Sequence, residues 1–135
     1  MMLKKKILIV DDHAGFRRRL KIFLEQQNQN TGVYEADSEE SAVETALKQK
    51  PEIVLLELQL PQMNGIKTAK LIKKASPSSK IIIMTMFDAE DFQRKFMTGH
   101  IDDVIGKNDF DGRLVRIVKK YLREQKKGDE GGRHI

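Results

Sequence analysis

The feature that most restricts the fold is a regular alternation of short apolar runs with amphipathic stretches. Five runs of strand type occur in the 135-residue chain, and three of them are almost wholly apolar. Such runs are typical of strands that are buried on both faces of a parallel sheet. The second run is short and polar, which suits the edge of a sheet. The predicted strands are residues 6–10, 33–35, 53–57, 81–85 and 103–106.

Apolar residues at helical spacing follow each predicted strand. A strand and a helix repeated five times predict an α/β fold, a doubly wound five-stranded parallel sheet covered by helices on both faces through right-handed crossovers. The apolar stripes lie within residues 16–24, 43–47, 66–72, 89–96 and 110–122, and Asp37–Glu40 is a candidate helix cap.

Length and composition favour one soluble domain. Apolar residues make up 39% and charged residues 33% of the chain, and cysteine is absent, which excludes disulfide and thiolate chemistry. The first apolar run ends at Asp11, too early for a signal segment or a membrane span, so we predict a cytoplasmic protein. The domain is predicted over residues 1–125, and the glycine-rich residues 126–135 are predicted to form a flexible tail.

The net charge of +5 does not by itself indicate a nucleic-acid partner. Lysine and arginine are spread over most predicted helices, and no docking motif for DNA or RNA is visible in the sequence. We therefore predict no direct nucleic-acid binding and no membrane partner.

Polar side chains follow four of the five predicted strands. Asp11 and Asp12 follow the first strand, Glu57 ends the third, Thr85 ends the fourth, and Lys107 follows the fifth. Because the carboxyl ends of parallel strands share one edge, these groups are expected to meet where such sheets bind ligands. Three carboxylates that converge there repel one another unless a cation intervenes.

Two cations are candidates for that position, Lys107 and a divalent ion. Carboxylate and carbonyl oxygens suit Mg²⁺. A Mg²⁺ ion flanked by a lysine and a hydroxyl group is a receptor for a phosphoryl group, whose transfer depends mainly on positioning and charge neutralisation.

At this point the chain resembles a known family, the receiver domain of two-component response regulators (CheY-like). The resemblance extends from Lys5 to Arg123. It implies a flavodoxin-like three-layer sandwich with strand order 2-1-3-4-5, in which Pro61 and Gly65 shape the loop after the third strand. The matching segments are IVDDH (9–13), LLELQLPQMNG (55–65), IIIMT (81–85) and GKND (106–109).

The resemblance also implies the roles of the site residues. Asp12 would bind Mg²⁺ directly with help from Asp11, Glu57 and the backbone carbonyl of Gln59. Thr85 and Lys107 would contact the phosphoryl group.

A function in a phosphorelay follows from the same resemblance. The domain would receive its phosphoryl group from a sensor histidine kinase or phosphotransfer protein and then bind a downstream protein, rather than act as an enzyme. The fourth helix, fifth strand and fifth helix would form the output surface and a homodimer interface.

The chain departs from the family at the phosphorylated residue. The family has an aspartate where this chain has Glu57, whose side chain is one methylene longer. Because a misplacement of about 1 Å can cost roughly a hundredfold in transfer rate, we predict impaired phosphotransfer. Three interpretations of Glu57 stay open: a partial phosphate mimic, a degenerate receiver that works as a phosphorylation-independent binding module, or an engineered substitution. A buried ion pair between Glu57 and Lys107 is compatible with the first two.

Two further positions differ from the family pattern. Met86 follows the hydroxyl residue where the family usually has a small side chain, and Val104 stands where an aromatic residue usually takes part in the switch. A metal-dependent phosphohydrolase on the same acidic edge is the alternative from another class, but the sequence offers no convincing general acid or base for it.

Overall fold

The five predicted strands and four of the five predicted helices are present in the described part of the chain. A computed structural model describes residues 5–28, 30–60, 63–86, 99–109 and 112–133. The strands are β1 (Lys5–Val10), β2 (Thr31–Ala36), β3 (Ile53–Glu57), β4 (Gln59–Leu60), β5 (Met63–Asn64), β6 (Lys80–Thr85) and β7 (Asp103–Gly106). The helices are α1 (Ala14–Gln27), α2 (Glu39–Gln49), α3 (Gly65–Ala75), a short 3₁₀-helix (Lys107–Asp109) and the C-terminal helix (Gly112–Arg133).

Five strands form one parallel sheet in the order β2-β1-β3-β6-β7. When only the strands of this sheet are numbered, the order is 2-1-3-4-5, so the predicted doubly wound, flavodoxin-like fold is confirmed. Strands β4 and β5 form a separate antiparallel pair directly after β3.

Successive residues of the central strands bury their side chains on opposite faces of the sheet. In β1, Ile7 and Ile9 pack on one face, and Leu8 and Val10 pack on the other. The first face is covered by α1 and the C-terminal helix, and the second by α2 and α3. Burial on both faces explains why these strands are almost continuously apolar.

The loops at the carboxyl edge of the sheet begin their helices with side-chain caps. The ring nitrogen Nδ1 of His13 accepts the N–H of Phe16 at 3.0 Å and caps α1. Ser38 caps α2 through a reciprocal capping box with Ser41, inside the predicted capping segment. These caps fix how each helix leaves the strand before it.

The C-terminal helix extends through Arg133. It therefore includes most of residues 126–135, for which the sequence predicts a flexible tail, and that domain boundary stays a prediction. The predicted helix over residues 89–96 and the predicted role of Pro61 lie outside the described residues.

Candidate functional site

The carboxyl ends of β1 and β3 bring two acidic side chains together around one lysine. Lys107 Nζ lies 2.9 Å from Asp11 Oδ2 and 2.7 Å from Glu57 Oε2. The Asp11 and Glu57 side chains are 1% and 6% exposed, and that of Lys107 is 13% exposed. The three groups form a buried ion cluster at the edge where ligands of such sheets bind. The ion pair between Glu57 and Lys107 that the sequence suggested is confirmed.

Asp11 is held in place through both its backbone and its side chain. Its N–H donates to the Ala36 carbonyl at 3.0 Å, and its own carbonyl accepts from Arg17 Nη1 at 2.7 Å. Its Oδ1 accepts the backbone N–H of His13 at 2.9 Å. Only Oδ2 faces Lys107, so the position and orientation of the carboxylate are set by the first loop.

An aromatic ring covers the lysine from the side of α1. Lys107 Nζ lies 4.3 Å from the centroid of the Phe16 ring, a cation–π distance. Phe16 stands on the first turn of α1, and its backbone N–H is fixed by the His13 cap. The start of α1 therefore positions two residues of the site: His13, whose N–H holds the Asp11 carboxylate, and Phe16, whose ring covers Lys107.

The ionisation of Lys107 reflects these neighbours. Burial lowers the pKa of Lys107, but hydrogen bonds to Glu57 and Asp11 and the charges of both carboxylates outweigh it. The net result is a pKa of Lys107 above its ordinary value of 10.5. Lys107 is therefore a cation at neutral pH, and it compensates one of the two negative charges beside it.

The loop after Glu57 is held by close backbone packing. The Leu58 N–H donates to the Met84 carbonyl at 3.0 Å, which continues the pairing of β3 with β6. Across the β4–β5 pair, Gly65 lies so near Leu58 that a Cβ atom on it would stand 2.7 Å from the Leu58 carbonyl oxygen. Asn64 caps α3 by accepting the N–H of Ile66 at 2.9 Å. The prediction that Gly65 shapes this loop therefore has a steric explanation.

The remaining predicted site residues lie at the same edge of the sheet. Asp12 is exposed directly after Asp11, Thr85 is 1% exposed at the end of β6, and Gln59 lies in β4 with its backbone paired to Asn64. Their predicted roles are not tested by these positions alone.

The acidic groups fit a magnesium site in chemistry, although they do not form a cluster of three. Across the described parts of the chain, no three His, Cys, Asp or Glu side chains lie close enough together to hold a metal ion. Mg²⁺ usually takes only one or two protein carboxylates and keeps several water ligands. The oxygen donors of Asp11, Asp12 and the Gln59 backbone are therefore compatible in kind with Mg²⁺.

The two positions that depart from the family pattern differ in their exposure. Met86 is 63% exposed where the chain leaves β6. Val104 is completely buried, in the part of the core that lies against α2 and α3. An aromatic side chain that turns between an outward and an inward position has no counterpart at Val104.

Three residues that shape this site carry no signal of that role in the sequence. Phe16 begins the predicted apolar stripe of residues 16–24, and its ring packs against the core beside α1 while also covering Lys107. Arg17 is one of the many lysines and arginines spread over the predicted helices, yet it binds the Asp11 carbonyl and forms an ion pair with Glu35 at 2.9 Å. His13 is exposed, and its side chain caps α1.

A match to a family model identifies the class of protein that this fold and site define. The model of the response regulator receiver domain matches residues 7–119. The chain therefore belongs to the receiver domain family of two-component response regulators.

Individual relatives agree with this assignment. The chain is 34% identical over 120 residues to the sensory transduction protein LytT of Bacillus anthracis, which covers 89% of this chain and 48% of that protein. It is 32% identical over 122 residues to the sporulation initiation phosphotransferase F of Bacillus subtilis, which covers 90% of this chain and 96% of that protein. The chain thus spans about half the length of LytT and nearly all of the second relative.

A solved structure with a bound metal is also similar. The response regulator protein TrrA of Thermotoga maritima, in complex with Mg²⁺-BeF, is 27% identical with a TM-score of 0.74, covering 87% of this chain and 98% of that one.

Within the described residues of our chain, no helix combines the length and the apolar character needed to cross a membrane.

Proposed function

We propose that this chain is a receiver domain in which Glu57 stands at the phosphoacceptor position and in which phosphotransfer is impaired. The observation that carries the proposal is the 2.7 Å contact between Glu57 Oε2 and Lys107 Nζ in a buried setting. The domain would transmit its signal by binding proteins and would not be an enzyme.

The position of Glu57 supports impaired transfer in two ways. Its carboxylate is already paired with a buried ammonium group, so it would have to leave an ion pair before it could act as a nucleophile. Its extra methylene shifts its oxygens relative to those of an aspartate, and in-line transfer tolerates such displacements poorly.

Magnesium binding is the part of the family chemistry that the oxygen donors still support. Asp12 would be the direct ligand, with Asp11, Glu57 and the Gln59 carbonyl nearby. Bound Mg²⁺ would supply positive charge that neutralises a transferring phosphoryl group. Thr85 and Lys107 would contact that group.

The proposed partners are those of a phosphorelay. A sensor histidine kinase or phosphotransfer protein would meet the edge of the sheet that carries Asp11 and Glu57, and a downstream protein would bind another surface. The same proposal includes a homodimer, formed through the predicted fourth helix, β7 and the C-terminal helix. It also includes a cytoplasmic location. The printed name of the Bacillus subtilis relative, a sporulation initiation phosphotransferase, supports the phosphorelay context.

A phosphorylation-independent binding module is the second candidate. It is favoured by the charge compensation between Glu57 and Lys107. Lys107 is the cation that would bind a phosphoryl group, and it already has an anionic partner in Glu57. In this form the native chain would bind its downstream partner without any phosphate.

Intact mass after incubation with Mg²⁺ and a small-molecule phosphodonor tests the proposal. The native chain, Glu57→Asp and Glu57→Gln are treated in parallel, and Glu57→Gln serves as the control for phosphorylation elsewhere. We expect a gain of one phosphate in Glu57→Asp only. A phosphate mapped to Glu57 in the native chain would overturn the proposal.

A further inference from the structure

We propose that Arg17 is a positioning residue for Asp12, the acidic residue that would bind Mg²⁺ directly. Arg17 holds the backbone on which Asp12 stands, and Glu35, near the end of β2, holds Arg17. This function depends on the proposed magnesium site, and it extends that site to an arginine of α1 and to the edge strand β2.

The backbone is anchored on both sides of Asp12. In the peptide group before Asp12, the Asp11 carbonyl accepts from Arg17 Nη1 at 2.7 Å. In the peptide group after Asp12, the His13 N–H donates to Asp11 Oδ1 at 2.9 Å. Because each peptide group is planar, these two bonds restrict the backbone dihedral angles of Asp12. Asp12 itself is exposed, so the backbone, rather than packing against neighbours, sets the direction of its carboxylate.

The guanidinium of Arg17 joins the first loop to β2. It donates through Nη1 to the Asp11 carbonyl and through Nε to Glu35 Oε1, the second bond at 2.9 Å. The group is planar and rigid, so the direction of one bond fixes the direction of the other. The Arg17 and Glu35 side chains are 15% and 18% exposed, and solvent therefore screens the ion pair only weakly.

Strand β2 holds Asp11 by two routes. The Ala36 carbonyl accepts the Asp11 N–H at 3.0 Å, and this bond continues the pairing of β1 with β2. Glu35, the residue before Ala36, orients the arginine that binds the Asp11 carbonyl. Loss of the second route leaves the strand pairing intact but releases the peptide group between Asp11 and Asp12. The effect should therefore fall on the direction of the Asp12 carboxylate more than on the sheet.

The charge of Arg17 alone predicts the opposite effect on metal binding. A guanidinium near a divalent cation repels it, so removal of that charge would by itself strengthen Mg²⁺ binding. If Arg17 positions Asp12, its removal weakens Mg²⁺ binding instead. The sign of the change in affinity therefore distinguishes positioning from a simple electrostatic effect.

Isothermal titration calorimetry of the full chain with Mg²⁺, without any phosphodonor, tests the inference. Arg17→Lys keeps the charge but loses the planar guanidinium, and Arg17→Met loses both. Arg18→Lys is the matched control, because Arg18 Nε lies 3.6 Å from Glu35 Oε2 while its side chain is 69% exposed. Asp12→Asn tests the magnesium site itself. Circular dichroism without Mg²⁺ checks that each variant is folded.

We expect both Arg17 variants to bind Mg²⁺ about tenfold more weakly than the native chain, the lower end of the loss typical for outer-shell partners of metal ligands. Arg18→Lys should bind like the native chain, and Asp12→Asn should lose most of the binding. A general loss of stability would lower the unfolding temperature of a variant without weakening Mg²⁺ binding to its folded form.

The results that would overturn the inference differ in what they mean for the proposed function. If folded Arg17→Lys and Arg17→Met bind Mg²⁺ as tightly as the native chain or more tightly, while Asp12→Asn does not bind, the magnesium site stands and Arg17 does not position it. Equal weakening in Arg17→Lys and Arg18→Lys would also refute a specific function of Arg17. If the native chain binds no Mg²⁺, or Asp12→Asn binds it equally well, the magnesium site of the proposed function fails as well.

Discussion

The ammonium of Lys107 and the carboxylate of Glu57 form a buried ion pair, with 2.7 Å between Nζ and Oε2. Residues 57 and 107 are far apart in the sequence, and the sheet brings them together because β3 and β7 both point toward the same edge. The pair is completed by Asp11 at the end of β1. The contribution of these contacts to the free energy of unfolding can be measured separately from any phosphotransfer.

Removal of the lysine should destabilise the fold. We expect Lys107→Met to lower the free energy of unfolding by about 3 kcal/mol, because two buried carboxylates lose their common cation. In the background of Glu57→Gln the same substitution should cost less, with a coupling energy of up to about 3 kcal/mol. Chemical denaturation of the native chain, both single variants and the double variant measures this cycle. Equal costs of Lys107→Met in both backgrounds would contradict an energetic pairing with Glu57.

The same lysine predicts a pH dependence. The pKa of Lys107 is raised in the folded chain above the ordinary 10.5, because the two carboxylates outweigh the effect of burial. The stabilisation that results is fully present below 10.5 and is lost as the pH rises through the raised pKa of the folded state. The difference in unfolding free energy between the native chain and Lys107→Met should therefore be constant from about pH 8 to pH 10 and shrink above that range. A difference that grows with alkaline pH would contradict this sign.

The five strands of the parallel sheet and the ion pair could be predicted from the sequence, whereas the short β4–β5 pair and the ring above the lysine could not. The apolar run that ends at Glu57 is almost diagnostic of a strand buried on both faces, so its bounds are predicted correctly at residues 53–57. The meeting of Glu57 and Lys107 follows from parallel strands that end at one edge. Phe16 has the helical spacing of an ordinary core residue. No feature of the nearby sequence shows that its ring also contacts Lys107, a cation that follows a distant strand.

The helix caps also divide into one that the sequence predicts and one that it does not. Ser38 belongs to the residue types that favour the N-cap position, so the sequence predicts the cap that the structure shows. His13 is not among those types, so its capping of α1 is visible only once Nδ1 is seen to accept the Phe16 N–H. The exposed, acidic Asp12 beside it gives no signal that the next residue carries the cap.

The close packing of Gly65 against Leu58 predicts a cost for any larger side chain. A Cβ atom at Gly65 would stand 2.7 Å from the Leu58 carbonyl oxygen and 2.9 Å from its Cα. Since the backbone itself must shift, we expect Gly65→Ala to lower the free energy of unfolding by about 1–3 kcal/mol. Gly112→Ala is the matched control, because its added Cβ has no described atom within 4 Å apart from its chain neighbours and the backbone of its own helix. Chemical denaturation of both variants checks this, and an equal effect in the two would refute the steric explanation.

The buried valine at position 104 predicts that the aromatic residue of the family pattern no longer fits. Val104 is 0% exposed and packs in the part of the core that faces α2 and α3. Val104→Tyr would add a ring and a hydroxyl group to a filled interior, so we expect a loss of about 1–3 kcal/mol in the free energy of unfolding. Val104→Ile is the control, since it adds one methylene and remains apolar. If Val104→Tyr unfolds at the same denaturant concentration as the native chain, the tyrosine has found an outward position, and an aromatic switch is sterically available to this fold after all.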